Sequence, residues 1–351
     1  MTPKDTLLVV GASGAAATRV MERALATPDL DVIGLSRRRP QGAGAWIEAD
    51  LNDAEGLRRA LATQPGITHI VYASRAPFGE GGVEDVAANT RMLRNLLDAA
   101  EAALPRFAHI HLIHGGKWYG LHIGPYRTPA REDDPRHLPP NFYYDQQDLV
   151  AARQQGRGWS WSASRPNFVL DVAPGRARNM VSTLGAYAAI CRELGVPFDF
   201  PGRAGAWTAL HEVSDASLLA EAVLWMLREP RCANRAFNVT NGDAFRWCDL
   251  WEFLAAQFGL PCGRPRPMSM PRWMADKEPV WEAIRARHGL VLPLAEVANW
   301  DFADFFLGMD YDVLSSMTAA RAAGFTGFVD SWAMFAAQTE GYRAARVLPP
   351  A

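Results

Sequence analysis

The sequence predicts an α/β protein: a doubly wound parallel sheet with a smaller, mostly helical C-terminal lobe. Three observations predict it. Short apolar, β-branched runs alternate with amphipathic helical stretches through the first half of the chain. A glycine-rich turn joins the first run to the first helical stretch. The second half passes into helical patterns rich in Trp and Pro. Strands that alternate regularly with helices pair in parallel, through right-handed crossovers. With 351 residues, 49% of them hydrophobic, the chain can bury two lobes or one large α/β unit.

Each element follows from its own pattern. Leu7–Val10 reads as a buried strand and Ala15–Leu25 as the helix after it. Asp31–Leu35 is a strand, Ala54–Ala62 a helix, Ile67–Ala73 a strand, Val86–Ala103 a long helix and His109–Ile113 a strand. Tyr119–Pro140 is rich in Pro, Gly, Arg and Asp and reads as a long loop, a length that usually signals function. A helix over Asn141–Gln155 and a strand over Trp159–Arg165 follow. Ala236–Thr240 is expected as the last strand, Asp249–Phe258 as a helix and Pro261–Pro271 as a Pro-rich crossing segment. The expected division is a nucleotide-binding domain over 1–170, with returning segments near 205–243. A substrate lobe is expected from 171–204 and 244–351.

Several function classes are excluded. A net charge of −2 carries no footprint for nucleic acid or an anionic membrane. Cys191, Cys232, Cys248 and Cys262 form no CxxC pair and read as reduced thiols. Met1–Thr6 is polar and lacks the apolar core of a signal peptide, so a cytoplasmic protein is expected. No apolar stretch is long enough to span a bilayer. His211-Glu212 does not continue to HExxH, because position 215 is Asp215, and no metal site is expected. His114-Gly115-Gly116 has no GxSxG partner, so a hydrolase reading fails. His109 and His111 read as satisfied structural histidines. The twelve tryptophans read first as core, and Asp301–Phe306 as a helix with one buried face.

Gly11-Ala12-Ser13-Gly14-Ala15-Ala16-Ala17 follows the first strand and opens the first helix. Glycines permit the tight turn and bring backbone N–H groups to a pyrophosphate at the helix N-terminus. The spacing is GxxGxxA, and the strand–turn–helix context it requires is present. The expected site is therefore a Rossmann-type dinucleotide site with Gly11, Ser13, Gly14 and Ala15. At the end of the second strand stands Ser36-Arg37-Arg38-Arg39 rather than an acid. Arginines there suit a 2′-phosphate, which predicts NADPH held by Ser36, Arg37 and Arg38. Asp50 and Leu51 are placed near the adenine, and Ala73 and Ser74 above the cofactor path. The stretch from Asn89 looks like the extended short-chain dehydrogenases, with Asn89 mostly structural.

The Tyr-x-x-x-Lys pair of those enzymes is absent: four residues after Tyr143 stands Gln147, and after Tyr144, Asp148. A cation is available instead at Lys117, in His114-Gly115-Gly116-Lys117-Trp118-Tyr119 after the strand His109–Ile113. This segment and Asn141-Phe142-Tyr143-Tyr144-Asp145-Gln146-Gln147-Asp148 resemble the progesterone 5β-reductase / iridoid synthase-like enone reductases. The resemblance continues through Trp159–Pro166, Leu184–Cys191, Phe237–Asp243, Asp276–Trp281 and Gly324–Phe328, and so spans almost the whole chain.

The resemblance implies NADPH-dependent 1,4-hydride addition to an α,β-unsaturated carbonyl compound. Tyr143 matches the family's catalytic tyrosine and Lys117 its catalytic lysine. It also brings Tyr143, Pro166, Phe168 and Val169 to the cofactor. The chain departs from the family pattern at His114, at Trp118 and at Asn167-Phe168, where the family often has Gly after Arg-Pro. These departures bear on the substrate more than on the reaction. Trp118, Phe168, Trp207 and Phe335 are the expected pocket liners. Two other readings differ in class: a non-catalytic NADP-binding sensor, and a nucleotide-sugar epimerase or dehydratase. Lys117 and the Asn141–Tyr144 segment argue against the first, and the missing Tyr-x-x-x-Lys against the second. The expected partner is a small-molecule enone, with a homodimer as the superfamily's ordinary state.

Overall fold

The computed structural model describes residues 4–79 and 83–351, so Met1–Pro3 of the polar N-terminal stretch lie outside the described residues. In chain order the first elements are β1 (Asp5–Val10), α1 (Ala15–Leu25), β2 (Leu30–Ser36), β3 (Trp46–Glu48), α2 (Ala54–Ala62), β4 (His69–Tyr72), α3 (Val86–Ala103) and β5 (His109–Ile113). There follow α4 (Phe142–Gln154), β6 (Ser160–Pro166), β7 (Val169–Leu170), α5 (Met180–Leu194), β8 (Phe198–Phe200), β9 (Leu210–His211), β10 (Ser214–Asp215), α6 (Ala216–Arg228) and β11 (Arg235–Val239). The chain ends with β12 (Phe245–Arg246), α7 (Trp247–Gln257), β13 (Cys262–Pro265), α8 (Met270–Met274), α9 (Glu278–His288), α10 (Leu294–Val297), α11 (Trp300–Leu307), α12 (Thr318–Ala322) and α13 (Ser331–Ala344).

Seven strands form one parallel sheet in the order β11-β6-β5-β4-β1-β2-β3. The strand order reverses between β1 and β4, and such a switch point opens a crevice at the carboxyl ends of the strands. Strand β1 shows why its sequence is continuously apolar. Leu8 and Val10 belong to one buried cluster with α2, α3 and α4, while Leu7 and Val9 belong to another with α1 and α6. A strand covered on both faces has no polar side to display. No helix among the described residues is long and apolar enough to cross a membrane.

A third cluster forms the second lobe, around the fully buried Trp247, Trp251 and Trp281. The Trp251 ring stacks on Phe198 at 4.4 Å, and its indole N–H donates to the Phe198 carbonyl at 2.8 Å. Trp281 donates to the Leu292 carbonyl at 3.2 Å. Trp247, Trp251 and Trp281 are thus core, two of them with the indole satisfied, whereas Trp207, Trp225, Trp273, Trp300 and Trp332 are half-buried. Met317, Ala320 and Phe325 return from the lobe to pack beside α6 and β11. The crossing segment supplies β13, which pairs with β8, and in α11 Phe302 and Phe306 are buried while Asp301 is exposed.

Histidines and serines on adjacent strands partner one another inside the sheet. On β5 and β6, His109 bonds Ser160 and Ser162, and His111 bonds Ser162 and Ser164, at 2.8–3.0 Å. Burial holds both imidazoles neutral, His109 at about 3. One strand register further on, Arg165 is buried, 1% exposed. It donates to the Tyr119 hydroxyl (3.0 Å), the Glu132 carbonyl (3.1 Å) and Gln147 Oε1 (3.1 Å), and its guanidinium lies 3.6 Å over the Trp118 ring. Tyr119 in turn donates to Asn238 Oδ1 on β11 at 2.6 Å. The expected long loop is thereby pinned against the sheet rather than left in solvent.

Glu212, between β9 and β10, is buried and accepts from Asn167 Nδ2 at 2.6 Å. Burial pushes its carboxyl up to about 7, and the Ser315 and Asn167 donors offset only part of this.

Two stability outcomes follow. Arg165→Met leaves the half-buried Glu132 carbonyl and Gln147 without their donor and should cost about 1–3 kcal/mol in chemical denaturation. A loss below ~1 kcal/mol would mean the knot is not structural. For Glu212, the folded carboxyl holds its proton to higher pH than the unfolded one, so stability is full at low pH and falls as pH rises towards about 7. Glu212→Gln should remove that decline, seen as a smaller drop in Tm between pH 5 and pH 8 than in the parent protein. Parallel pH curves would refute it.

Candidate active site

The crevice at the switch point is a cleft of about 710 Å³. Its lining includes Gly11, Ser13, Gly14, Ser36, Arg37, Arg38, Asp50, Leu51, Ala73 and Ser74, so ten residues scattered over the first 74 positions meet there. Ala15 opens α1 beside them. Gly11 has φ +77°, and a Cβ on it would stand 2.6 Å from Ser74 Oγ. Only glycine fits that close, left-handed turn. Gly14 caps α1 without a side-chain hydrogen bond and no acid stands in the first turn, so the first N–H groups face the cleft unclaimed by a side chain. Arg176, from the segment before α5, donates to the Ser13 carbonyl. Arg39 is engaged by the Ala43 and Gly44 carbonyls, and the Arg38 carbonyl accepts from Ser36 Oγ at 2.7 Å, whereas the Arg37 and Arg38 guanidinium groups have no hydrogen bond or ion pair with a described residue. The residues present fit a dinucleotide: a helix N-terminus for a pyrophosphate and two free guanidinium groups at the end of β2.

A second group lies where β5, β6 and α4 converge. Asn141 caps α4, accepting from the Tyr143 N–H at 3.0 Å, and donates through Nδ2 to the Lys117 carbonyl at 2.9 Å. One asparagine therefore fixes the Lys117 turn to the first turn of the tyrosine helix. Tyr144, the next residue, donates to the Trp118 carbonyl at 2.6 Å and adds a second clamp. Tyr143 stacks on His114 at 4.7 Å. Its hydroxyl makes no hydrogen bond with a described residue, and a Cβ on Gly115 would stand 3.5 Å from it. Burial first, and then the Glu84 carboxylate, raise the Tyr143 phenol above its ordinary range. The group is a protonated donor throughout the neutral range. His114 is held well below the usual imidazole range by burial and then by Arg165, and stays neutral.

The Lys117 ammonium lies on Glu84 at 2.8 Å, with Arg75 at 3.9 Å from the same carboxylate oxygen. Neither Glu84 nor Arg75 stood out in the sequence. Both lie between β4 and α3, and only the parallel pairing of β4 with β5 brings that segment beside the Lys117 turn.

The remaining residues separate. Pro166 ends β6 and Val169 begins β7. Between them Phe168 has φ +41°, a left-handed backbone that costs a non-glycine residue of order 1–2 kcal/mol. It is held there by stacking on Phe306 at 3.8 Å and by the Asn167 N–H bond to Ser214 Oγ at 3.0 Å. The Asn167 amide is pressed against Gly116, where a Cβ would stand 1.8 Å from Asn167 Oδ1. Trp118 lies behind His114, covered by Arg165, and is 3% exposed. Phe335 is fully buried on α13, and Trp207 packs on Phe200 at 5.0 Å. Of the four expected pocket liners, Trp118 and Phe335 are therefore core, because their rings are enclosed by protein on every side. Gln147, in the place of the missing lysine, faces Arg165 instead.

Comparison with known proteins shows what the chain is similar to. The chain is 35% identical over 345 residues to an (S)-8-oxocitronellyl enol synthase of Nepeta racemosa, covering 92% of this chain and 86% of that one. It is 35% identical over 320 residues to the 3-oxo-Delta(4,5)-steroid 5-beta-reductase of Arabidopsis thaliana, covering 87% of this chain and 80% of that one. Among solved structures, a putative epimerase from Burkholderia cenocepacia superposes with a TM-score of 0.70 at 18% identity, covering 98% of this chain and all of the other, which is a likeness of fold. Fold and family together imply a nicotinamide cofactor. Residues 58–349 match the PRISE-like Rossmann-fold domain, and the chain belongs to that family.

Proposed function

We propose that this protein reduces the C=C bond of α,β-unsaturated carbonyl compounds by 1,4-hydride addition, with NADPH as donor. The observation that carries the reading is the Tyr143 hydroxyl: a neutral phenol, free of protein partners among the described residues, at the carboxyl end of the sheet beside the cofactor cleft. The relatives' names, an enol synthase and a steroid 5β-reductase, support the same chemistry.

Bound NADPH supplies the hydride, which goes to the substrate's β-carbon. The electron pair of the C=C bond moves towards the carbonyl, and negative charge gathers on its oxygen. Tyr143 donates a hydrogen bond to that oxygen, and the Lys117 ammonium, drawn partly from Glu84, adds a positive charge. Both interactions strengthen as the charge develops, so they stabilise the transition state more than the bound substrate. A proton from solvent completes the α-carbon. His114, kept neutral, buttresses the phenol ring without competing for the proton. Arg37 and Arg38 select NADPH by pairing with the 2′-phosphate, and Gly11, Ser13, Gly14 and Ala15 seat the pyrophosphate.

Tyr143→Phe should lower kcat on the order of 100-fold while leaving NADPH affinity unchanged, measured by cofactor oxidation against a cyclic enone and by equilibrium titration. Undiminished turnover rejects the role. The double variant Arg37→Ala, Arg38→Ala should shrink the preference for NADPH over NADH at least about tenfold, equivalent to one lost charge-assisted contact. An unaltered ratio of the two cofactors' kcat/KM values rejects the phosphate assignment.

A further inference from the structure

Beside Tyr143 the cleft wall carries more positive charge than the chemistry above uses. Arg75, Lys117 and Arg178 converge there, and Glu84 is the one described carboxylate among them. Lys117 already occupies Glu84 at 2.8 Å, and Arg75 stands off at 3.9 Å. Arg178 has no hydrogen bond or ion pair with a described residue. The charged groups that act on it are Arg75, which repels, and Glu84, which attracts.

The backbone holds both arginines in place. Arg178 directly precedes Asn179, which caps α5 and donates through Nδ2 to the Asp171 carbonyl at 2.7 Å. Arg75 directly precedes Ala76, whose N–H donates to the buried Asn89 Oδ1 at 2.9 Å. The guanidinium groups then settle on aromatic faces: Arg75 lies 3.7 Å over Phe78, and Arg178 lies 4.5 Å over Phe302 and 6.0 Å over Phe78. Both arginines stay open to solvent, and packing of Arg178 against the rings is the first cause that lowers its pKa, with Arg75 the second. Two like charges are thus brought together at an apolar wall with their donors unspent. A guanidinium presents paired N–H donors that match a carboxylate, and repulsion between neighbouring cations is relieved when an anion enters between them.

We propose that the substrate carries a carboxylate remote from its reacting C=C bond, and that Arg178, assisted by Arg75, receives it. The inference rests on the enone-reductase reading. The aromatic rings of Phe78 and Phe302 would flank the substrate's apolar body, and the carboxylate would set how far it enters towards Tyr143. Arg75 also lines the cofactor cleft, so it serves both ligands. Arg178 is outside that lining and is the residue that separates the two roles.

The test uses a linear enal ending in a carboxylate and the methyl ester of the same enal. With NADPH and the intact protein, kcat/KM for the acid should exceed that for the ester by about 10- to 100-fold, the worth of one charge-assisted contact. In Arg178→Met the ratio should fall towards unity, chiefly through KM for the acid. Arg178→Lys should restore part of it. Equal turnover of acid and ester by the parent protein overturns the proposal and leaves the reductase reading standing. An unchanged ratio in Arg178→Met also overturns it. So does an equal rise in NADPH dissociation constant with either substrate, which would assign Arg178 to the cofactor. If neither enal is reduced, the reductase reading fails. Calorimetric titration of the protein–NADP⁺ complex with the saturated acid and ester then decides the proposal alone, since it requires tighter binding of the acid that Arg178→Met abolishes.

Discussion

The buried guanidinium of Arg165 ties together parts of the chain that must stay in register for the site to exist. It leaves the end of β6 and reaches the turn that holds Trp118 and Tyr119, the loop carbonyl of Glu132, and Gln147 on α4. Through Tyr119 it also reaches Asn238 on β11. A cation in the interior is expensive, and this one is stabilised by neutral acceptors and an aromatic face rather than by a close carboxylate. Such a group tolerates few arrangements. The Lys117 turn and the Tyr143 helix are each attached to it at one remove, which limits how they move relative to each other.

The same economy governs electrostatics around Tyr143. Burial and the carboxylate of Glu84 favour the protonated phenol, and Arg75 offsets part of this. A donor with that proton held firmly suits an oxygen that becomes negative only during reaction. In short-chain dehydrogenases a lysine four residues after the tyrosine serves both tyrosine and ribose. Here that helix position belongs to Gln147, which is spent on Arg165. The cation comes from a different element, the turn after β5, and Asn141 holds the two elements together by capping one and bonding the other. Under the proposed function, Tyr143 and Lys117 act as two donors from separate elements, an arrangement suited to charge developing on a carbonyl oxygen.

Phe168 adds a third constraint. Its left-handed backbone is maintained by packing on Phe306 and by the bonds of Asn167 to Ser214, Glu212 and Ser315. Asn167 presses against Gly116, next to Lys117. The segment after β6 therefore couples the second lobe to the lysine turn. Strain of this kind persists only where the surroundings over-determine it, and it commonly marks a ligand site.

Much of this was legible in the chain. The parallel sheet, its helices and the glycine turn depend on residues close together in sequence: the apolar run Leu7–Val10, the helical pattern of Val86–Ala103, the turn from Gly11 to Gly14. Backbone preference and periodicity are local, so they can be read locally. The meeting of Gly11, Arg37, Asp50 and Ser74 in one cleft was legible too, since in a parallel sheet the ends of successive strands must share one edge. What only the tertiary structure decided was the choice of partners. That Lys117 meets Glu84, that Arg75 and Arg178 stand together, that Trp118 is sealed beneath Arg165 while Phe168 lies against Phe306: each depends on where segments far apart in sequence are placed by loop paths and packing. A side chain's partner is set by distances in space, and no local pattern encodes them.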